Sequence, residues 1–472
     1  MNLKKILIAM LLTAAFYGAS FAQDAAATAT PAAKQKPPAG GTPKPFTLPK
    51  KEVVTLKNGI QVTLIPYGAI PKVTVRADVR AGNLNEAENQ IWLADLTGSL
   101  LKEGTATRSA AQIAEEAARM GGSVDVGVGA DTTSVTGDVL SEFGPQLVAL
   151  MGEVMTRPLL PAAELARLKN DQLRQLSIAR SQPGPLANEL FRKTLYPNHP
   201  YGRLYPTEEM VKSYTIEDVQ KFYRENFSAA RTRIYVAGQF DAAAMKKALA
   251  GAFESWPRGA EAVINVPKPT AARALRLVDR PNAQQSTLYI GLPAIDPSNA
   301  DYIPFLVTNS LLGGSFGSRI TSNIREQKGY TYSPNSQVSV RYRDGFWVQV
   351  ADVTTSVTGP SLKEIFYEID RLQKDPPTED ELQGIKNYLA GIFVLQNSSR
   401  QGVIGQLAFT DLHGLPETYL STYVQKVLAV TPQDVQRVTR QYLTPDKMAV
   451  VVVGDKAKIA EQLTPYGTMT EN

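Results

Sequence analysis

Cysteine is absent from this chain and histidine occurs twice, at His199 and His413. The first absence excludes disulfides, thiolate nucleophiles and sulfur-ligated metals. The second leaves too few nitrogen donors for an ordinary zinc site, which takes three or four protein ligands dominated by His or Cys. The two histidines stand far apart in the turn-like contexts "YPNHPYG" and "DLHGLP", so His199 reads as a turn residue and not as a ligand. Gly313-Gly314-Ser315-Phe316-Gly317 has the letters of a G-x-S-x-G elbow but follows a helix instead of a buried strand, and "GGSFGS" at Gly313–Ser318 lacks the Gly-Lys-Ser/Thr ending of a phosphate loop. Basic excess is also scarce. Of the formal charge of +5, most comes from five lysines facing one aspartate in the first 44 residues. The remainder is nearly neutral and has no electrostatic footprint for nucleic acid.

What is present begins with "MNLKKILIAMLLTAAFYGASFAQDA". Two lysines, a short apolar run and small residues at Ser20 and Ala22 predict a secretory signal peptide over residues 1–22. The run is shorter than the ~20 residues of a bilayer span, and no later stretch is long and apolar enough, so no membrane span is expected after cleavage. Export implies a periplasmic location. Residues 23–45, rich in Ala, Pro, Thr and Lys, read as a tether. Hydrophobic content of 43% with 20% charge describes globular material beyond it.

"EVVTLKNGIQVTLIPYG" alternates around Asn58-Gly59 and predicts a hairpin. "WLADLTGSLLKEGT" carries Leu93, Leu96, Leu100 and Leu101 at helical spacing, and Ser109 caps a second helix. "TIEDVQKFYRENFSAARTRIYVAG" (Thr215–Gly238) and "TPQDVQRVTRQYLTPDKMAVVVVG" (Thr431–Gly454) have equal length and the same order of capped helix, loop and strand ending in Gly. This internal repeat, with "TGSLLKEG" and "TNSLLGGS" as earlier equivalents, predicts two similar halves. The expected fold is α+β, with two homologous α/β-sandwich halves enclosing a peptide cavity: residues 46–255, a linker 256–272, and residues 273–472.

Gly313, Gly314 and Ser315 form a Gly-rich stretch where backbone could approach a substrate; an ordinary helix end explains the same residues. In "SRITSNIREQKGYTYSPNS", Arg325 lies near the end of a helix, Gly329 breaks it and Tyr332 opens a strand. A guanidinium fork and a phenol on adjacent elements suit the holding of a peptide carbonyl or an oxyanion.

This last segment resembles the C-terminal signature of the pitrilysin/insulinase family, the inverzincins, including the mitochondrial processing peptidase subunits. The first helix, "HPYG" at His199–Gly202 and the repeated helix-strand ends agree in order, over about residues 50–462. The resemblance implies that the family's H-x-x-E-H motif, counted back from Gly104-Thr105, falls on Asp95-Leu96-Thr97-Gly98-Ser99, and that its distal Glu ligand falls on Gln175. Neither His nor either Glu is present, so Asp95, Gly98, Ser99 and Gln175 are degenerate zinc-site positions and no metal or other cofactor is expected in this chain. Split bacterial members pair a zinc-bearing subunit with one carrying the Arg/Tyr pair. The resemblance therefore implies a zinc-free subunit, inactive alone, whose Arg325 and Tyr332 act on peptide in a heterodimer with a homologous zinc-bearing peptidase subunit. The rival is a non-catalytic peptide-binding or assembly protein of the same fold.

Overall fold

The computed structural model describes residues 47–471, all within one compact unit. The predicted signal peptide and tether lie outside the described residues. Strands β1 (Glu52–Thr55), β2 (Gln61–Pro66), β3 (Lys72–Val79), β4 (Ser123–Val128), β5 (Thr133–Leu140) and β6 (Thr232–Gly238) form one sheet in the order β1-β2-β6-β3-β5-β4. Strands β7 (Ala274–Asp279), β8 (Gln285–Ala294), β9 (Asn335–Arg341), β10 (Asp344–Thr354), β11 (Ala449–Gly454) and β12 (Met469–Glu471) form the other, in the order β12-β7-β11-β8-β10-β9.

The halves are duplicates at the level of pairing. β2 runs parallel to β6 as β7 does to β11, and the remaining inner pairs are antiparallel in both sheets. The symmetry fails at the outer strands, since β1 is antiparallel to β2 whereas β12 is parallel to β7. The repeated sequence has the same cause in both places. Thr215 and Asp218 cap the helix Ile216–Asn226 reciprocally, and Thr431 and Asp434 cap the helix Pro432–Tyr442. Each pair satisfies backbone donors that the first turn would leave open. Each helix then leads through a single 3₁₀ turn, Ala229–Arg231 or Pro445–Lys447, towards the strand β6 or β11.

The inner strands of both sheets are buried on both faces. Val62, Leu64, Val75, Ile234 and Val236 point into a core made with the N-terminal half's own helices. Ile65, Tyr235 and Ala237, on the opposite face, join Val403, Ile404 and Leu407 of the helix Arg400–His413 in the C-terminal core. In the second sheet, Val450 and Val452 face the C-terminal helices. Val451 and Val453 face Ala187, Leu190 and Phe191 of the helix Pro183–Leu195, which belongs to the N-terminal half in sequence. Each half thus lends one helix to the other's sheet. Two-sided burial explains the unbroken "AVVVV" of β11, because a strand with no wet face does not alternate. Between Phe253 and Ala274 the chain forms no helix or strand.

Candidate functional site

The helix Leu93–Leu101 packs its leucines into the N-terminal core and lies against β4 and the helix Ala162–Ser181. Asp95 is largely withdrawn from water, and this desolvation raises its carboxyl above the usual carboxylate range. Asn83 Nδ2 donates to Asp95 Oδ2 at 2.7 Å and to Glu86 Oε1 at 3.1 Å. Glu86 Oε1 also accepts from Ala94 N at 2.9 Å, capping the first turn of the helix, and burial pushes this carboxyl up to about 8. Ser99 Oγ donates to the Asp95 carbonyl at 2.9 Å. Gly98 is buried, and a Cβ there would lie 2.5 Å from Val128 Cγ2. The space beside Gly98 is therefore filled by an edge-strand valine.

Gln175 is exposed on the helix Ala162–Ser181, at the margin of the face that carries buried Leu168, Gln172 and Leu176. The residue of this helix that reaches the first one is Gln172, whose Nε2 donates to the Trp92 carbonyl at 2.9 Å. That carbonyl belongs to a left-handed residue, φ 71°, whose indole donates in turn to Leu204 O at 2.9 Å. Among the described residues no group of three or more His, Cys, Asp or Glu is arranged to hold a metal ion. His199 caps a turn, with Nδ1 accepting from Tyr201 N at 3.2 Å and Nε2 at 3.1 Å from Asn265 O. His413 is buried at the end of its helix, and burial lowers it to about 4.

Arg325 sits on a π-helical segment, Thr321–Gln327, of a kind often found at functional positions. Gly329, at φ +64°, ends it: Tyr330 N bonds Ile324 O and Gly329 N bonds Arg325 O, the paired closure that requires a left-handed residue. The segment is anchored from beneath. Buried Arg319, just before it, grips Glu381 with two bonds of 2.7 and 2.8 Å. Asn323 donates to Glu364 and Glu368, of the helix Thr358–Lys374, at 3.0 and 2.8 Å. Tyr332 precedes β9 instead of opening it, because Pro334 has no N–H to give a ladder. Its ring is 80% exposed.

The structure brings Arg325 and Tyr332 together, with the guanidinium carbon 5.0 Å from the phenol ring centre. It adds a residue that the sequence reading passed over. Phe316, 69% exposed, covers the guanidinium at 4.4 Å. Arg325 Nε pairs with Glu326 Oε1 at 3.1 Å, while its Nη groups have no partner among the described residues. An exposed aromatic between two glycines, in "GGSFGS", was the available signal.

Gly313 and Gly314 are closely packed. A Cβ on Gly313 would lie 2.6 Å from Ser336 Oγ and from Gln349 Oε1, and one on Gly314 would meet the Asn309 side chain. These glycines let a π-helical turn, Ser310–Gly314, press against β9 and β10, and the Ser315 hydroxyl is buried without a partner. The exposed part of the loop is Phe316-Gly317. Four clefts, of about 280, 550, 590 and 580 Å³, are lined by neither Asp95 and Gln175 nor Arg325 and Tyr332.

With this geometry in view, residues 64–206 match the model of the insulinase family, peptidase family M16, and residues 213–389 match that of the peptidase M16 inactive domain. The chain is similar to the uncharacterized zinc protease YmxG of Bacillus subtilis, at 24% identity over 83% of this chain and 95% of that one. It is also similar to the non-peptidase homolog YmxG of Helicobacter pylori, at 22% over 82% and 90%. The crystal structure of a peptidase M16 inactive domain from Pseudomonas fluorescens superposes with a TM-score of 0.78 at 25% identity, covering 86% of this chain and 98% of that one. Two adjoining domain models in the family's order, on a duplicated fold, establish that the chain belongs to the insulinase/pitrilysin family of M16 peptidases.

Proposed function

We propose that this protein is the zinc-free subunit of a periplasmic heterodimeric metallopeptidase, and that it supplies Arg325 and Tyr332 to a peptide held at a homologous partner's zinc centre. The observation that carries the reading is the contrast between the two halves. Where a general base would stand, Val128 has closed the space over Gly98. Tyr332 is instead exposed, and the partly buried Arg325 lies beside it with its Nη groups unpaired among the described residues. Arg319, which anchors the segment, commits its fork to Glu381; the idle Nη donors of Arg325 fit a carbonyl or oxyanion supplied from outside. The leader read in residues 1–22 supports the periplasm. No helix among the described residues is long and apolar enough to cross a membrane.

Mixing the purified chain with a zinc-bearing homologous subunit is expected to create peptide turnover that neither shows alone. Tyr332→Phe, which removes one donor, should lower kcat by ~10²–10³ while gel filtration still shows the complex. Full turnover in both Tyr332→Phe and Arg325→Ala would leave the rival reading, a non-catalytic peptide-binding or assembly protein.

A further inference from the structure

We propose that Phe316 is a positioning residue, one jaw of a clamp that holds the Arg325 guanidinium against Tyr332 so that its Nη donors point outward to substrate. The proposal rests on the functional reading above and extends it to a residue outside the Arg/Tyr pair.

Three observations converge. Phe316 and Tyr332 are among the most exposed large apolar side chains of the described residues, at 69% and 80%. Each costs the free chain an unburied ring, and neither takes part in a hydrophobic core. Both rings nevertheless meet the same cation, at 4.4 and 5.0 Å from Arg325 Cζ, so the guanidinium has two aromatic partners. Glu326 takes the Nε side at 3.1 Å, and the Nη side is open.

An arginine on an exposed helical segment ordinarily samples many rotamers, and ordering it on ligand binding costs affinity. Aromatic partners remove part of that cost in advance. The loop geometry serves the same end. Buried Gly313 and closely packed Gly314 fix the loop's root against β9 and β10, and buried Ser318 and Arg319 fix its other end, leaving Phe316-Gly317 as its exposed tip. Phe316 is therefore presented by a short, doubly anchored loop.

The test has two arms. In the first, the isolated chain is labelled with ¹⁵N-arginine, and the Nε–Hε resonance of Arg325 is assigned as the one lost in Arg325→Lys. Phe316→Ala and Phe316→Leu should both move that resonance out of its ring-shifted position, whereas Phe316→Tyr should keep it. In the second, the reconstituted pair is assayed for turnover. An exposed cation–π contact is worth a factor of roughly 2 to 5 in an equilibrium, so Phe316→Ala should raise KM by about that factor with kcat little changed. Phe316→Tyr should restore KM; Phe316→Leu, which keeps apolar bulk without a π face, should not. An Arg325 resonance unmoved by Phe316→Ala overturns the clamp, as does a KM restored equally by leucine. Absence of any turnover in the wild-type pair overturns the heterodimer reading, and the resonance arm still decides the clamp.

Discussion

At the scale of single residues, Gly98 shows how packing can require a glycine inside a helix. Glycine inside a helix ordinarily costs about 1 kcal/mol relative to alanine, so Gly98→Ala would stabilise an exposed helix. Here the added methyl would meet Val128 Cγ2 at 2.5 Å, and overpacking a close contact costs about 1–3 kcal/mol. The second effect wins, and urea denaturation should find Gly98→Ala destabilised by about 1 kcal/mol, with Val128→Ala relieving the loss in the double mutant. Glu86 sets a pH dependence of definite sign. Its carboxyl titrates near 4.5 when unfolded and at about 8 when folded. Between those values the native state holds a proton that the unfolded chain has released, so stability falls as pH rises through this window, by up to about 4 kcal/mol. Glu86→Gln, which stays neutral in both states, should flatten urea midpoints measured from pH 5 to 8; an unchanged slope would refute the assignment. Elemental analysis of the dialysed protein should find no stoichiometric zinc, because Asp95, Gly98, Ser99 and Gln175 supply neither imidazole nor a convergent carboxylate set. One tightly held zinc per chain would refute that.

Elements differ in how openly their sequence declared them. Thr215/Asp218 and Thr431/Asp434 could be read directly, because a capping box is a local bond between residues three apart. The Asn58-Gly59 hairpin was equally local, with Gly59 at φ +95°. The Arg325/Tyr332 pair was legible because a helix end, a glycine and an aromatic lie within eight residues. What escaped depends on distant partners. Gly313 and Gly314 look like a flexible loop until Ser336 and Gln349 are seen against them. Gln175 was reached by counting, and nothing local says that Gln172 makes the contact to Trp92. The helix Pro183–Leu195 is the largest such surprise, since its apolar side serves a sheet that begins some eighty residues later. Phe191 is its central contact. The ring is fully buried, and its Cζ would lie 2.8 Å from a Cβ placed on Gly291 of β8. Phe191→Ala should cost about 3–5 kcal/mol, and Gly291→Ala should destabilise by forcing helix and strand apart; calorimetry on both variants checks this.

For the whole molecule, the exchanged helices mean that neither half is complete in itself. Tyr235 Oη donates to Asp411 at 2.6 Å, Arg400 bonds Thr74 and Asp138 at 3.1 and 2.9 Å, and Tyr196 Oη donates to Asp344 at 2.5 Å, all across the sequence divide. Thermal unfolding should accordingly be a single transition, and two resolved transitions would show that the halves stand independently. Residues 270–472 expressed alone should aggregate, because Val451, Val453, Phe346 and Val348 would lose their cover. The same exchange dictates a timetable for synthesis. The second strand bearing the first sheet's outer face, β6, has left the ribosome by Gly238, but the helix that roofs that face begins only at Arg400. Ile65, Tyr235 and Ala237 therefore wait uncovered while some 160 further residues are made, which at ~5–20 residues per second is an interval of roughly 8 to 30 seconds. During that interval the nascent chain presents a sticky sheet to its neighbours, and whatever escorts it must shield the first half until the last quarter arrives.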